Sequence, residues 1–153
     1  MLLIVRHGEA KSQEEDPQRG LSDRGRIEVA AVARALRALK PEVATIWHSG
    51  KPRAEQTARL LADALGAGKR VQPHSGLDPG SPAARTAVEL RDPAEDLAIV
   101  GHLPHLGRLL GLLLVGKEEP VLFQLPPAGV VCLERTESLW QVLWFLTPET
   151  CLA

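Results

Sequence analysis

Apolar positions along this chain change their spacing from segment to segment, and each spacing predicts an element. Leu2 to Val5 is an unbroken apolar run, the pattern of a strand buried on both faces. The polar stretch "KSQEEDPQRG" follows as a loop, after which Ser22 is placed to cap a helix with Asp23 in its first turn. Val29, Val32, Ala33 and Leu36 then recur at helical spacing until Pro41. "VATIW" from Val43 reads as a second strand. Pro52 opens a helix whose Ala54, Ala58, Leu61 and Leu65 form one face.

"GAGKR" closes that helix, "VQP" is a short edge strand, and "HSGLDPGSP" is loop by its Gly, Pro and Ser content. A helix is expected over 83–90, a third buried strand from Leu97, and a very apolar helix after Pro104. "VVCLERTESLWQVLWFL" reads as an antiparallel hairpin turning near Thr136 to Ser138. Even spacing puts Trp140 and Trp144 on one face of its second strand, as core or sheet cover. No repeat or linker divides the chain. The expected fold is a single domain over 1–153, a three-layer α/β/α sandwich whose central sheet is mostly parallel with some antiparallel strand.

Composition narrows the function classes. With 153 residues, 44% hydrophobic and 24% charged, the chain can bury a core without disulfides. A net charge of -1 gives no whole-protein attraction to nucleic acid or anionic membrane, so any anion must be met by a local cluster. The first apolar run is too short for a secretory signal, and "LLGLLLVG" from Leu109 is far below a bilayer span. Cys132 and Cys151 have no metal or redox spacing; a reduced, cytoplasmic protein is expected, with Cys132 a buried hydrophobe. The absence of Asn and Tyr fits a thermophile, although a GC-rich genome biases codons the same way.

Candidate chemistry gathers where the strands end. In open α/β sheets ligands bind beyond the carboxyl ends of the strands. The first predicted strand ends in Arg6-His7-Gly8, the second near His48-Ser49 with Arg53 just inside the next helix, and the third in Gly101-His102. Parallel neighbours would bring two arginines and two histidines to one rim, beside helix N-termini that favour an anion.

"RHGEA", "LSDRG" from Leu21, "SGKPRAEQT" from Ser49 and "GHLPHLG" from Gly101 together resemble the histidine phosphatase superfamily, with its phosphoglycerate-mutase-like fold. Within it the short chain, "RAEQT" and "HLPxxG" are most similar to the SixA-type phosphohistidine phosphatases. The resemblance implies that His7 is a nucleophile that becomes transiently phosphorylated, and that Arg6, Arg53 and His102 hold the phosphoryl oxygens. The Leu103 backbone N–H is a weaker candidate for the same task. It implies no metal or other cofactor. The substrate would be a phosphohistidine-bearing protein or, alternatively, a small phosphate monoester; a binding module with a dead site is the reading from another class.

The chemistry agrees with these assignments. Phosphoryl transfer needs positioning and charge stabilisation, and guanidinium forks match phosphoryl oxygens. His7 must attack as neutral imidazole, which nearby cations favour, with its other ring nitrogen donating to a carbonyl or carboxylate. His102, if protonated, would add positive charge. Gly8 would let the chain turn and phosphate approach.

Two departures stand out: Ser49-Gly50 replaces the family's usual Ser-Pro, and Asp78 is the only carboxylate in the "HSGLDPGSP" loop where ester-cleaving members carry an acid. Asp78 is thus a candidate general acid or a turn residue before Pro79. A leaving imidazole needs less acid help than an alkoxide, and the short chain has no lid insertion; both features favour phosphohistidine on a protein. Glu9 would pair with a pocket arginine or stay exposed. His105 is expected at the pocket edge or surface, His48 and His74 as structural or exposed, and Ser49 as a helix cap with Gln56-Thr57 as a brace for the arginine, helix packing being the alternative for all three.

Overall fold

The two faces of one strand show how the layers form. The computed structural model describes residues 1–66 and 68–152, and its first strand, β1 (Leu2–Arg6), is buried on both sides. Leu3 and Val5 pack under α1 (Asp23–Leu39) and α2 (Pro52–Leu65), against Val29, Leu36 and Ala58. Leu2 and Ile4 pack on the opposite side against Ala83 of α3 (Ala83–Glu89) and Leu106 and Leu109 of α4 (His105–Val115). Helices cover both faces, as the unbroken apolar run requires. The result is the expected three-layer α/β/α sandwich.

β2 (Thr45–His48), β3 (Arg70–Pro73), β4 (Leu97–Gly101), β5 (Val130–Arg135) and β6 (Trp140–Leu146) complete a six-stranded sheet in the order β3-β2-β4-β1-β5-β6. β3, β2, β4 and β1 run parallel, while β5 and β6 are antiparallel. β4 inserts between β2 and β1, so the helices leaving β1 and β4 lie on opposite faces. The register sets Arg6 beside Gly101. This is the topological switch at which such sheets bind ligands. Among the described residues no helix is long and apolar enough to cross a membrane.

Local signals act as expected at several ends. The Ser22 side chain accepts the Gly25 N–H at 3.0 Å, and Pro52 occupies the first turn of α2. Other details differ. The second strand begins at Thr45 rather than Val43 and takes in His48. Trp140 and Trp144 lie on opposite faces: Trp140 belongs to the α3/α4 side and Trp144 to the α1/α2 side. Cys132 opposes Trp144 while Leu133 opposes Val142, so β6 carries one extra residue there, and a bulge of this kind exchanges the faces of everything beyond it. A further short helix, α5 (Pro148–Leu152), packs against α1.

Candidate active site

Backbone hydrogen bonds hold His7 from both sides just past the end of β1. Its N–H donates to Gly101 O at 3.0 Å, and its carbonyl accepts from Ala128 N at 3.1 Å. Gly8 comes next because α1 crosses it closely: a Cβ there would stand 2.7 Å from Val29 Cγ2. Close packing, rather than the tight turn expected from the sequence, requires this glycine. The Gly8 N–H donates to Thr57 Oγ1 at 3.0 Å, and that hydroxyl donates to Arg53 O at 2.8 Å. Thr57 therefore ties the His7 strand to the first turn of α2.

The His7 ring has a defined tautomer. Its Nδ1 lies 2.7 Å from Gly8 O; a carbonyl only accepts, so Nδ1 carries the proton and Nε2 keeps its lone pair. The expected carbonyl partner is the next residue's own. The His102 ring stands with its centroid 4.8 Å from that of His7, tilted by 51°. Burial, followed by the Arg53 and Arg6 charges and that of Arg19, lowers the His7 pKa to about 4 against the weaker opposing pull of the Gly8 carbonyl. Desolvation leads, and the cations act in the direction expected from the sequence.

His102 differs from expectation. It is buried, and desolvation, then the charges of His7, Arg53 and Lys51, lower its pKa to about 3. The free site thus holds it neutral, because an imidazolium there would face other cations without water. Its Nε2 lies 2.6 Å from Ser49 Oγ. Ser49 therefore serves His102, while Lys51 occupies the N-cap of α2 without a side-chain cap.

Arg6 is fixed through Nη1, which donates to Leu125 O at 3.0 Å. Burial lowers the pKa of Arg6, and burial together with Arg19 lowers that of Arg53. Among the described residues, the buried side-chain nitrogens without a hydrogen-bond partner are Arg6 Nε, His102 Nδ1 and His105 Nδ1. Buried polar groups are normally paired, and two of these three belong to the residues gathered around His7.

The other candidates are placed as follows. Glu9 meets the Ser22 hydroxyl at 2.9 Å and Arg24 at 3.8 Å, so it supports the start of α1, and its arginine is not a pocket arginine. Leu103 is half-buried in the turn before α4, its side chain packed on the core. Asp78 is 58% exposed, 3.8 Å from Lys51 Nζ. Gln56 and Thr57 brace backbone rather than the Arg53 side chain: Gln56 Oε1 accepts from Leu21 N at 2.8 Å.

His105 is neither edge nor surface but fully buried, with Nε2 3.3 Å from Thr86 Oγ1. Thr86 Oγ1 in turn donates to Gly76 O at 3.2 Å. Ser75 accepts from Arg85, and His74 meets Glu89 at 2.6 Å while stacking on Trp47. Three successive residues of the Asp78 loop are thereby laced to one face of α3. His48 is buried and accepts the Gly50 N–H.

Arg19 was not anticipated. It is exposed, in the left-handed region at φ 50, with Nε donating to Lys11 O at 3.1 Å, and its charge acts on both His7 and Arg53. It lies in a polar loop with no periodicity, so only its position just before "GLSDRG" could have marked it.

A family model described as the histidine phosphatase superfamily (branch 1) matches residues 2–78, the half of the chain that contains Arg6, His7 and Arg53. The chain belongs to this superfamily. His102 lies outside the matched region and reaches the site through the β4–β1 pairing. No curated protein sequence matches the chain. Solved structures extend the likeness in fold to nearly all of it. The protein histidine phosphatase SixA complexed with tungstate is 23% identical, with 97% of each chain covered and a TM-score of 0.83. SixA from Agrobacterium tumefaciens is 20% identical, covering 96% of this chain and 97% of its own, at a TM-score of 0.77. A mycobacterial glucosyl-3-phosphoglycerate phosphatase is 20% identical, with 94% and 97% covered and a TM-score of 0.67. This histidine phosphatase superfamily member thus shares its fold with proteins named for protein and for small-molecule substrates.

Proposed function

We propose that the chain, as one catalytic unit over residues 1–153, hydrolyses phosphohistidine on a phosphorelay or signalling protein through a phosphorylated His7. The observation that carries the proposal is the His7 ring itself. Nδ1 is bound to Gly8 O, Nε2 holds a lone pair, and burial keeps the ring unprotonated at neutral pH.

Nε2 attacks phosphorus in line, and the bond from phosphorus to the substrate imidazole breaks. The departing nitrogen takes a proton from solvent. Arg6 and Arg53 receive the equatorial oxygens, with the buried Arg6 Nε gaining the partner it otherwise lacks. The entering dianion also favours a proton on His102, which then donates to it. In a second step water attacks the phosphorus carried on Nε2, the P–N bond breaks with its electron pair returning to Nε2, and the water's proton leaves with the phosphate or solvent, releasing inorganic phosphate and restoring neutral His7. The guanidiniums supply the charge stabilisation, so no step calls on a metal.

The likeness in fold to SixA structures supports the protein substrate. So does Asp78, which faces solvent and a lysine: ester cleavage asks for a held acid, and phosphohistidine cleavage asks for less. The free thiols Cys132 and Cys151 suit a reducing, cytoplasmic setting. The alternative, a small-molecule phosphomonoesterase, is favoured by the likeness to the glucosyl-3-phosphoglycerate phosphatase.

Phosphate release from a histidine-phosphorylated carrier protein and from an aryl phosphate, with excess chelator and His7→Ala as the blank, separates the two. Faster His7-dependent release from the protein is expected. Release from the aryl ester alone would replace this reading with the small-molecule one.

A further inference from the structure

The two edges of the sheet are finished differently. β3, at one edge, is four residues long, starts with Arg70 held to Glu95 and ends in Pro73. Shortness, charge and proline are what keep an edge strand from pairing with another chain. β6, at the other edge, is seven residues, WQVLWFL, with no charge and no proline. Val142, Leu143 and Phe145 along it are 38%, 48% and 37% exposed. Among the described residues, no hydrogen bond from outside the β5–β6 ladder reaches 140–146.

Which backbone groups β6 turns outward follows from β5. A strand in an antiparallel pair offers alternate residues to each neighbour. Gly129 O accepts Arg6 N on the β1 side, and Thr136 N donates to Leu139 O on the β6 side. Val130, Cys132 and Glu134 therefore serve β6, through their partners Leu146, Trp144 and Gln141. The backbone groups of Trp140 and Val142 face away before the bulge, and those of Phe145 after it. The extra residue of the bulge thus shifts the outward positions by one along the strand.

That shift selects the occupant. A regular strand presents every second residue, so it matches the outward groups on one side of the bulge and misses those on the other. A second β6 carries the same shift. Run antiparallel about a twofold axis between Val142 and Leu143, it sets Trp140 opposite the partner's Phe145 and Phe145 opposite the partner's Trp140, and the two bulges meet on the axis.

We propose that β6 pairs in this way with β6 of a second copy of the chain, joining two six-stranded sheets into one. The inference stands apart from the phosphohistidine reading. Such a pairing of like edges closes on itself as a dimer, and the blunted β3 edge adds no further copies. The flanking charges do not set the pairing. Arg135 and Glu137 lie at the end that adjoins Glu149 of the partner subunit, so opposite and like charges are both at hand. The axis stands perpendicular to the sheet, and the His7 rims of the two copies open at its opposite ends. The shared edge is roughly 24 Å long, short against a permanent interface, so a reversible dimer with a Kd on the order of 10 µM is expected.

Sedimentation equilibrium of the wild-type protein from about 1 to about 500 µM should show monomer passing to dimer around that Kd. Val142→Lys should raise the Kd about 30-fold or more by placing a charge on the edge. Phosphate release and the melting temperature of the dilute monomer should stay unchanged. Ile27→Lys, at an exposed apolar position on α1, should leave the Kd as it is. Hydrogen exchange of the wild type needs no variant: the Val142 and Phe145 amides should exchange freely in the monomer and be protected in the dimer. Those of Gln141 and Leu146, bonded to β5, should be protected in both.

A monomer at every concentration would overturn the proposal. So would a dimer that Val142→Lys leaves intact, or one in which the Val142 and Phe145 amides gain no protection.

Discussion

The Thr57 hydroxyl accepts the Gly8 N–H at 3.0 Å while donating to the Arg53 carbonyl at 2.8 Å. One buried side chain thus fixes the distance between the strand that carries His7 and the helix that carries Arg53. Thr57→Val keeps the shape and removes both bonds, leaving the Gly8 N–H buried without a partner. A loss of about 1–3 kcal/mol is expected in denaturant unfolding, with a kcat about tenfold lower. Thr57→Ser should recover most of both.

Acid should act on the two rings well below the ordinary histidine range. The His7 and His102 pKa values are lowered to about 4 and about 3, so neither ring should titrate by NMR until the pH falls below 5. The sign for stability follows. Between pH 6.5 and those values the unfolded chain binds protons that the folded chain does not, so stability falls as the pH drops through that window. Midpoints near 6.5 for both rings would contradict the account of their burial.

Arg53→Lys keeps the charge but loses the fork, and kcat/KM should drop about 100-fold or more. Arg19→Ala should cost less, about fivefold, because Arg19 is exposed and acts through a screened field. Steady-state kinetics at two salt concentrations distinguish them: only the wild-type advantage over Arg19→Ala should shrink with added salt.

An acid must keep its proton until the bond breaks, which burial or a neighbouring carboxylate achieves. Asp78 has solvent on one side and Lys51 on the other. Asp78→Asn should change phosphate release by less than about threefold with either phosphohistidine or an aryl ester. A tenfold loss confined to the ester would make Asp78 the general acid.

The sequence made the sheet's interior and the strand-end residues legible for one reason. Leu2 to Val5 is apolar throughout because both faces are covered, and the same rule that buries a parallel strand sends its carboxyl end to the ligand side. Arg6, His7 and His102 follow from that alone, and Arg53 from the helix start after β2. What escaped depended on geometry that no periodicity encodes. The bulge in β6 turns Trp144 to the other face. Arg19 acts on the site through its charge from an irregular loop. Ser49 meets a ring 53 residues away at 2.6 Å, closer than the 3.4 Å bond it accepts from the Lys51 N–H at the start of its own helix. His105, polar by type, is buried because Thr86 and the Asp78 loop close over it.

The central claim is that His7 Nε2 carries the phosphoryl group between substrate and water. Rapid-quench labelling with a radioactive phosphohistidine protein tests it directly. The account predicts a base-stable, acid-labile label on His7 that appears within the first turnover and vanishes in His7→Ala. Full turnover with no label on His7, or turnover retained by His7→Ala, would contradict it.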